Sequence, residues 1–94
     1  MRRAARVDAN QPDIVKGLRA VGASVAHIHM VGQGLPDIIV GFRGVNYLLE
    51  IKDENKPPSK RRLTPDEKDW HDNWRGSVHV VNNEDEALRV IGAI

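Results

Sequence analysis

Asp37, Glu50 and Lys52 are the residues whose types and spacing suit one piece of chemistry. Asp37 follows Pro36 and heads an apolar run to Phe42, whereas Glu50 and Lys52 flank Ile51 at the end of a second run that starts at Val45. Both runs read as strands, and Arg43-Gly44 between them reads as a tight hairpin turn. Such a hairpin pairs Phe42 with Val45, Val40 with Tyr47 and Asp37 with Glu50, and the two-residue strand period puts Lys52 on the face of Glu50. Like charges directly opposite each other destabilise a sheet unless something compensates them. A divalent cation does so, and hard oxygen ligands suit Mg²⁺, with Mn²⁺ able to substitute. Beside such a cation, an ammonium can orient an attacking water or stabilise charge on a phosphorane-like transition state, the requirements of phosphodiester hydrolysis. A plainer explanation fits the same spacing: Glu50 and Lys52 pair with each other at the mouth of a sheet, and Asp37 opens a strand after Pro36.

The elements that must hold these residues are legible in the periodicity. A first helix is expected from near Asn10, with Pro12 in its first turn, Ile14, Val15, Leu18 and Val21 on one face, and Gly22 to stop it. Ser24 to Met30 alternates like a strand, and Gly32-Gln33-Gly34 connects it to the segment Asp37 to Phe42. The strands Asp37 to Phe42 and Val45 to Lys52 are apolar on both faces, so they are expected to lie between layers. Asp53 to Arg62 is polar, contains Pro57-Pro58-Ser59 and reads as an exposed, partly extended loop. A second helix opens at Thr64 with Pro65 in its first position and Glu67 three residues after the cap, the pattern of a capping box, and it ends by Gly76. Ser77 to Val81 is a last strand, and a final helix from near Asn83 presents Ala87, Leu88, Ile91 and Ile94 on one face. The order is α-β-β-β-α-β-α, an α/β domain with a mixed sheet flanked by helices.

Bulk properties narrow the classes. With 94 residues the chain is expected to form a single domain over residues 1–94, too small for a second catalytic lobe. Apolar residues make up 40% and charged residues 29%, the balance of an ordinary globular protein, and no stretch is apolar enough to span a membrane. The basic N-terminus lacks the apolar segment of a secretory signal, and the absence of cysteine excludes disulfides and thiolate metal sites. Both features agree with a cytoplasmic setting. A net charge of only +1 announces no nucleic-acid partner, but its distribution is uneven. Basic residues gather at Arg2, Arg3 and Arg6 and again at Lys52, Lys56, Lys60, Arg61 and Arg62, whereas acidic residues crowd between Asp66 and Asp72 and between Glu84 and Glu86.

The stretch Gly34-Leu35-Pro36-Asp37-Ile38-Ile39-Val40-Gly41, followed by Glu50-Ile51-Lys52, resembles the G-x-P-D and E-x-K motifs of the VRR-NUC branch of the PD-(D/E)XK nuclease superfamily. It is most similar to the small stand-alone versions found in phages and prophages. The resemblance extends over most of the chain, including the Pro-Pro-Ser loop, the Leu63-Thr64-Pro65 helix start and the Trp74-Arg75-Gly76 end. It implies a restriction-endonuclease-like core with Asp37, Glu50 and the main-chain carbonyl of Ile51 on Mg²⁺, and Lys52 as the catalytic lysine. Small members of this kind are similar to homodimeric endonucleases that cut branched DNA such as four-way (Holliday) junctions. A homodimer acting on branched DNA is therefore expected, with a nuclease on duplex or flap DNA, or a DNA-binding module without the reaction, as alternatives. The family often carries Gln at the position matching Glu67, close to the active site; in this chain the capping box also accounts for Glu67. An acidic residue of the first helix commonly joins the metal site in the superfamily, and Asp8, Asn10 and Asp13 are the candidates.

Other chemistry-bearing residues have simpler readings beside the functional one. His27 and His29 are expected on one face of the first strand, at a spacing that suits a transition metal, but without an evident third ligand they read as ordinary strand histidines. His71, one turn beyond Glu67, either reaches a phosphate or lies on a solvated helix face. Trp70 and Trp74 either stack on unpaired bases or form core or dimer contacts. Lys56, Lys60, Arg61 and Arg62 leave the sheet just after Lys52 and are the candidates for contact with a DNA backbone.

Overall fold

A computed structural model describes residues 7–94, so the basic cluster of Arg2, Arg3 and Arg6 lies outside the described residues. The elements are α1 (Gln11–Ala20), β1 (Ser24–His27), β2 (Ile38–Phe42), β3 (Val45–Ile51), α2 (Pro65–Asn73), β4 (Val78–Val81) and α3 (Glu84–Val90). Short 3₁₀ turns at His29–Val31 and Pro58–Lys60 interrupt the connections. The four strands form one mixed sheet in the order β1-β2-β3-β4. Pairs β1·β2 and β2·β3 are antiparallel, and β3·β4 is parallel. A parallel neighbour needs a long crossover connection, and the segment containing α2 supplies it.

The hairpin has the expected register, with Phe42 opposite Val45, Val40 opposite Tyr47 and Ile38 opposite Leu49. Arg43 and Gly44 both have positive φ, 51° and 79°, the backbone of a two-residue turn matched to strand twist. Residues opposite each other share a face, so Ile38, Val40, Tyr47, Leu49 and Ile51 lie together. Ile14, Val15 and Leu18 of α1 and Ala87, Leu88 and Ile91 at α3 close over that face to form the core. Asn83 caps α3 by accepting from the Glu86 N–H at 2.8 Å.

The opposite face is only partly covered. Ile39 and Leu48 point that way and line one cleft with Trp70 of α2 and Trp74 at its C-cap, whose rings stack on each other with centroids 4.5 Å apart. The strands lie between layers as expected, with α1 and α3 on one face and α2 on the other, but the α2 face is less completely closed and Trp74 remains 47% exposed. Among the described residues no helix is long and apolar enough to cross a membrane.

One strand is shorter than its alternation predicts. β1 ends at His27, Ile28 turns out of extended geometry at ψ 4°, and His29 opens a 3₁₀ turn. His27 and His29 consequently do not share a strand face; their rings meet edge-on at 6.0 Å. Period-two patterning continued past the last residue that β2 can pair, since the Ile28 N–H is the final donor, to the Asp37 carbonyl at 2.9 Å.

Candidate active site

The hairpin brings Asp37 and Glu50 together just beyond the last regular β2·β3 pair. Asp37 is tied down on both its backbone and its side chain: its N–H donates to the Leu49 carbonyl at 3.1 Å, and its Oδ2 accepts the Ile51 N–H at 2.7 Å. The N–H and C=O of a strand residue project to the same side. The Ile51 carbonyl is thus directed toward β2 and the Asp37 side, whereas the Lys52 N–H turns the other way to the Val81 carbonyl at 2.9 Å.

Glu50 is 3% exposed, and its buried Oε1 has no hydrogen-bond partner among the described residues. Burial, followed by the charges of Asp37 and Glu67, pushes its carboxyl up to about 9, and burial also raises Asp37. The facing pair thus holds a proton at neutral pH. Lys52 partly offsets the acidic charge: its Nζ lies 3.5 Å from Glu50 Oε2 and 2.9 Å from Glu67 Oε1. Burial opposes the ammonium, yet the Glu67 hydrogen bond and the charges of Glu50 and Glu67 outweigh it and raise Lys52 above its ordinary value.

Glu67 reaches this position from α2 because of its capping box. Thr64 Oγ1 accepts the Glu67 N–H at 3.2 Å while Glu67 Oε1 accepts the Thr64 N–H at 2.9 Å. Burial alone would raise Glu67, but the Thr64 N–H and Lys52 outweigh it and lower the group. One carboxylate thus both caps the helix and holds Lys52, a contact that the sequence reading did not foresee.

Asp37, Lys52 and Glu67 line a cavity of about 320 Å³ together with Asp8, His29 and the Gly32–Gly34 connection. Of the three first-helix candidates, Asp8 is the one that reaches this cavity, and it pairs with Lys56 at 2.7 Å. Asn10 has a different task. Its Nδ2 donates to the carbonyls of Lys52 and Asn82, both at 3.1 Å, bracing the start of α1 against the ends of β3 and β4. Asp13 lies with Asp53, Glu54 and Asn83 in a separate cleft.

The remaining candidates are spread around this centre. Lys56 is committed to Asp8, Lys60 and Arg62 are exposed, and Arg61 is half-buried with its Nε unpartnered. The loop is less extended than expected, because Pro58–Lys60 forms a 3₁₀ turn. His71 is half-buried rather than on a solvated face; burial lowers its imidazole, with the Glu67 charge opposing and the Lys52 charge assisting. Asp53 and Gln11, 7% and 2% exposed, are buried polar residues that the sequence pattern did not single out. Their only sequence signal was a polar residue at the edge of an element, which is too common to discriminate.

A solved structure described as a VRR_NUC domain matches this arrangement with a TM-score of 0.63 at 26% sequence identity, over 89% of this chain and 96% of that chain. The chain shares the VRR_NUC fold. No family model matches the sequence, and no curated protein does either. The VRR_NUC likeness supports the family resemblance drawn from the Gly34–Gly41 and Glu50–Lys52 motifs. It also agrees with the mixed four-stranded sheet flanked by helices in the order α-β-β-β-α-β-α.

The site's fit to a divalent cation can be judged on its donors. Among the described residues no group of three or more His, Asp or Glu side chains gathers closely enough to hold a metal by itself. Two carboxylates and a main-chain carbonyl remain, and such a sparse oxygen set suits an ion that keeps waters and takes a substrate phosphate. The unpartnered, buried Glu50 Oε1 beside Asp37 fits it as well, because a cation relieves the charge that otherwise forces Glu50 to keep a proton.

Proposed function

We propose that this chain is a divalent-cation-dependent endonuclease that hydrolyses DNA phosphodiester bonds and acts on branched DNA, four-way junctions foremost, as a homodimer. The observation that carries this reading is the convergence of Asp37, Glu50 and Lys52 at the end of the hairpin, with a buried Glu50 oxygen that none of the described residues satisfies. The likeness to a VRR_NUC domain supports a nuclease, and the preference for branched DNA rests on the sequence resemblance.

Asp37, Glu50 and the Ile51 carbonyl would hold Mg²⁺ or Mn²⁺. When bound, the cation supplies Lewis-acid polarisation of the scissile phosphate and a lowered pKa for water. Lys52 places an ammonium beside the same carboxylates, where it orients the attacking water or stabilises negative charge developing on the phosphate oxygens. Glu67 keeps Lys52 in that position from outside the sheet, and Asp8 adds a carboxylate at the rim of the cavity. Lys60, Arg61 and Arg62 contact the DNA backbone, joined by Lys56 when DNA displaces Asp8 from it. Two copies related by a two-fold axis suit a two-fold symmetric junction.

The test is cleavage of labelled four-way junction, flap and linear duplex DNA with and without Mg²⁺ or Mn²⁺, with Lys52→Ala alongside. Metal-dependent cutting of the junction, lost in Lys52→Ala, is the expected result. Equal cutting of all three DNAs would retain the nuclease and discard the branched substrate. Binding without cutting under either metal would leave a DNA-binding module.

A further inference from the structure

A second concavity, about 690 Å³, adjoins the catalytic cavity at His29, which lines both. Its wall on α1 is a single stripe at helical spacing: Gln11, Val15 and Arg19, with Lys16 beside them. His27, at the end of β1, and Met30, 57% exposed on the 3₁₀ turn, form the opposite wall. β1 is the edge strand of the sheet, and among the described residues no further strand pairs with it on that side.

Three properties of this groove agree on one kind of occupant. Its lining includes Lys16 and Arg19 and no carboxylate, although the catalytic cavity next to it is rich in them. Lys16 has no ion-pair partner among the described residues, and Arg19 makes one long hydrogen bond to the Val25 carbonyl at 3.3 Å. Val7 and Met30, both exposed, provide apolar surface beside these cations, and His27 adds an exposed ring, the combination that binds a charged backbone with flat, stackable bases. Gln11 is 2% exposed and donates its Nε2 to His27 Nδ1 at 3.2 Å. Its buried amide oxygen in the wall of the groove is left with no donor among the described residues.

We propose that the α1 groove binds the DNA strand flanking the scissile phosphate, as unpaired nucleotides that leave the catalytic cavity past His29 and run between Lys16 and Arg19 on one side and Met30 on the other. This rests on the nuclease reading above. It assigns a path on the α1 side of the sheet, separate from the Lys56–Arg62 loop. Lys16 and Arg19 neutralise phosphates there, and His29 marks the passage between the two sites.

Because the chain contains no cysteine, Met30→Cys carries a single thiol to which an iron chelate that generates hydroxyl radicals can be attached. Ser59→Cys in the basic loop serves as a second position and Ile94→Cys as a distant one. Each labelled protein is bound to a four-way junction and to a duplex with a single-stranded tail, without added Mg²⁺ or Mn²⁺. Binding is also measured against salt for the wild type and for Lys16→Ala combined with Arg19→Ala. The expected result is strand scission from position 30 within a few nucleotides of the site that the unlabelled enzyme cuts, none from position 94, and a salt slope reduced by about 2 in the double variant. Scission from position 59 but not from position 30, with an unchanged slope, overturns the groove and leaves the nuclease reading standing. A dimer in solution that shields the thiol at position 30 from modification overturns it in favour of a contact between copies. Absence of DNA binding by any of the proteins overturns both readings.

Discussion

Lys52 Nζ lies 2.9 Å from Glu67 Oε1, the same oxygen that accepts the Thr64 backbone N–H at 2.9 Å. A helix cap and a candidate catalytic lysine thus depend on one atom, so substitutions at Glu67 should separate geometry from charge. Glu67→Gln keeps an oxygen for both donors. It should melt within a few degrees of the wild type and keep cleavage within about tenfold, which is about 1.4 kcal/mol of barrier. Glu67→Ala removes the reciprocal cap, costing about 1 kcal/mol of stability, and releases Lys52, so cleavage should fall well beyond that tenfold margin. Thermal melts and single-turnover cleavage of the two variants check this, and equal cleavage by both would show that Glu67 does not position Lys52.

A second consequence concerns Glu50, whose carboxyl burial and the neighbouring Asp37 and Glu67 charges push up to about 9. The sign follows from proton counting: between its ordinary value of 4.5 and about 9 the folded protein binds more protons at this group than the unfolded chain. Its contribution to stability is therefore present at low pH and is lost as pH rises through that window. Glu50→Gln removes the cost of ionisation at nearly the same volume. Without divalent cation it should melt above the wild type at pH 8 by several degrees, with 1 kcal/mol corresponding to about 4–8 °C, and the gap should close below about pH 4.5. Melts across this range decide it, and a pH-independent gap would count against a protonated Glu50.

The same protonation makes cation binding pH-dependent. Filling the Asp37–Glu50 pair with Mg²⁺ or Mn²⁺ should expel about one proton at pH 7, and affinity should rise with pH until the pair has ionised. Titration calorimetry in two buffers of different ionisation enthalpy measures the proton directly. Glu50→Gln should release none and lose most of the affinity. A wild type that binds Mn²⁺ with no proton release would require both carboxylates to be ionised beforehand.

The hairpin was the most legible part of the chain, because alternation, the Arg43-Gly44 turn and the two-residue period together determine which residues share a face. They place Asp37, Glu50 and Lys52 at one end before any tertiary contact is known. The capping box at Thr64 and Glu67 was legible for the same local reason, but its contact with Lys52 depends on where α2 lies over the sheet. What β1 does after His27 was illegible, since strand length depends on the partner's last paired residue. Asn10 shows the same limit: it occupies the N-cap position of α1, yet its side chain makes no capping bond and braces the Lys52 and Asn82 carbonyls instead. Asp8 was one of three equivalent candidates until the entry of the chain into α1 put it beside the cavity.

The placement of α2 over the site depends on Gly34. Its φ of +83° is one that a side chain strains, and a Cβ there would run into the Asp66 carbonyl in the first turn of α2. The connection from the 3₁₀ turn to Asp37 and the helix that carries Glu67 therefore approach each other only because position 34 lacks a side chain. Gly34→Ala should cost about 1–3 kcal/mol through backbone strain alone. It should also push the first turn of α2 outward, parting Glu67 from Lys52 while leaving the β2·β3 register intact. Gly44 is an informative control, because its φ is also positive at +79° but a Cβ there meets nothing within 4 Å. Gly44→Ala should destabilise by a similar amount yet leave cleavage of the folded protein unchanged, whereas Gly34→Ala should lower cleavage even at temperatures where it is fully folded. Melts give the first comparison and cleavage well below the melting temperature gives the second. Equal cleavage by the two variants would mean that the close approach of Gly34 to Asp66 does not set the position of Glu67.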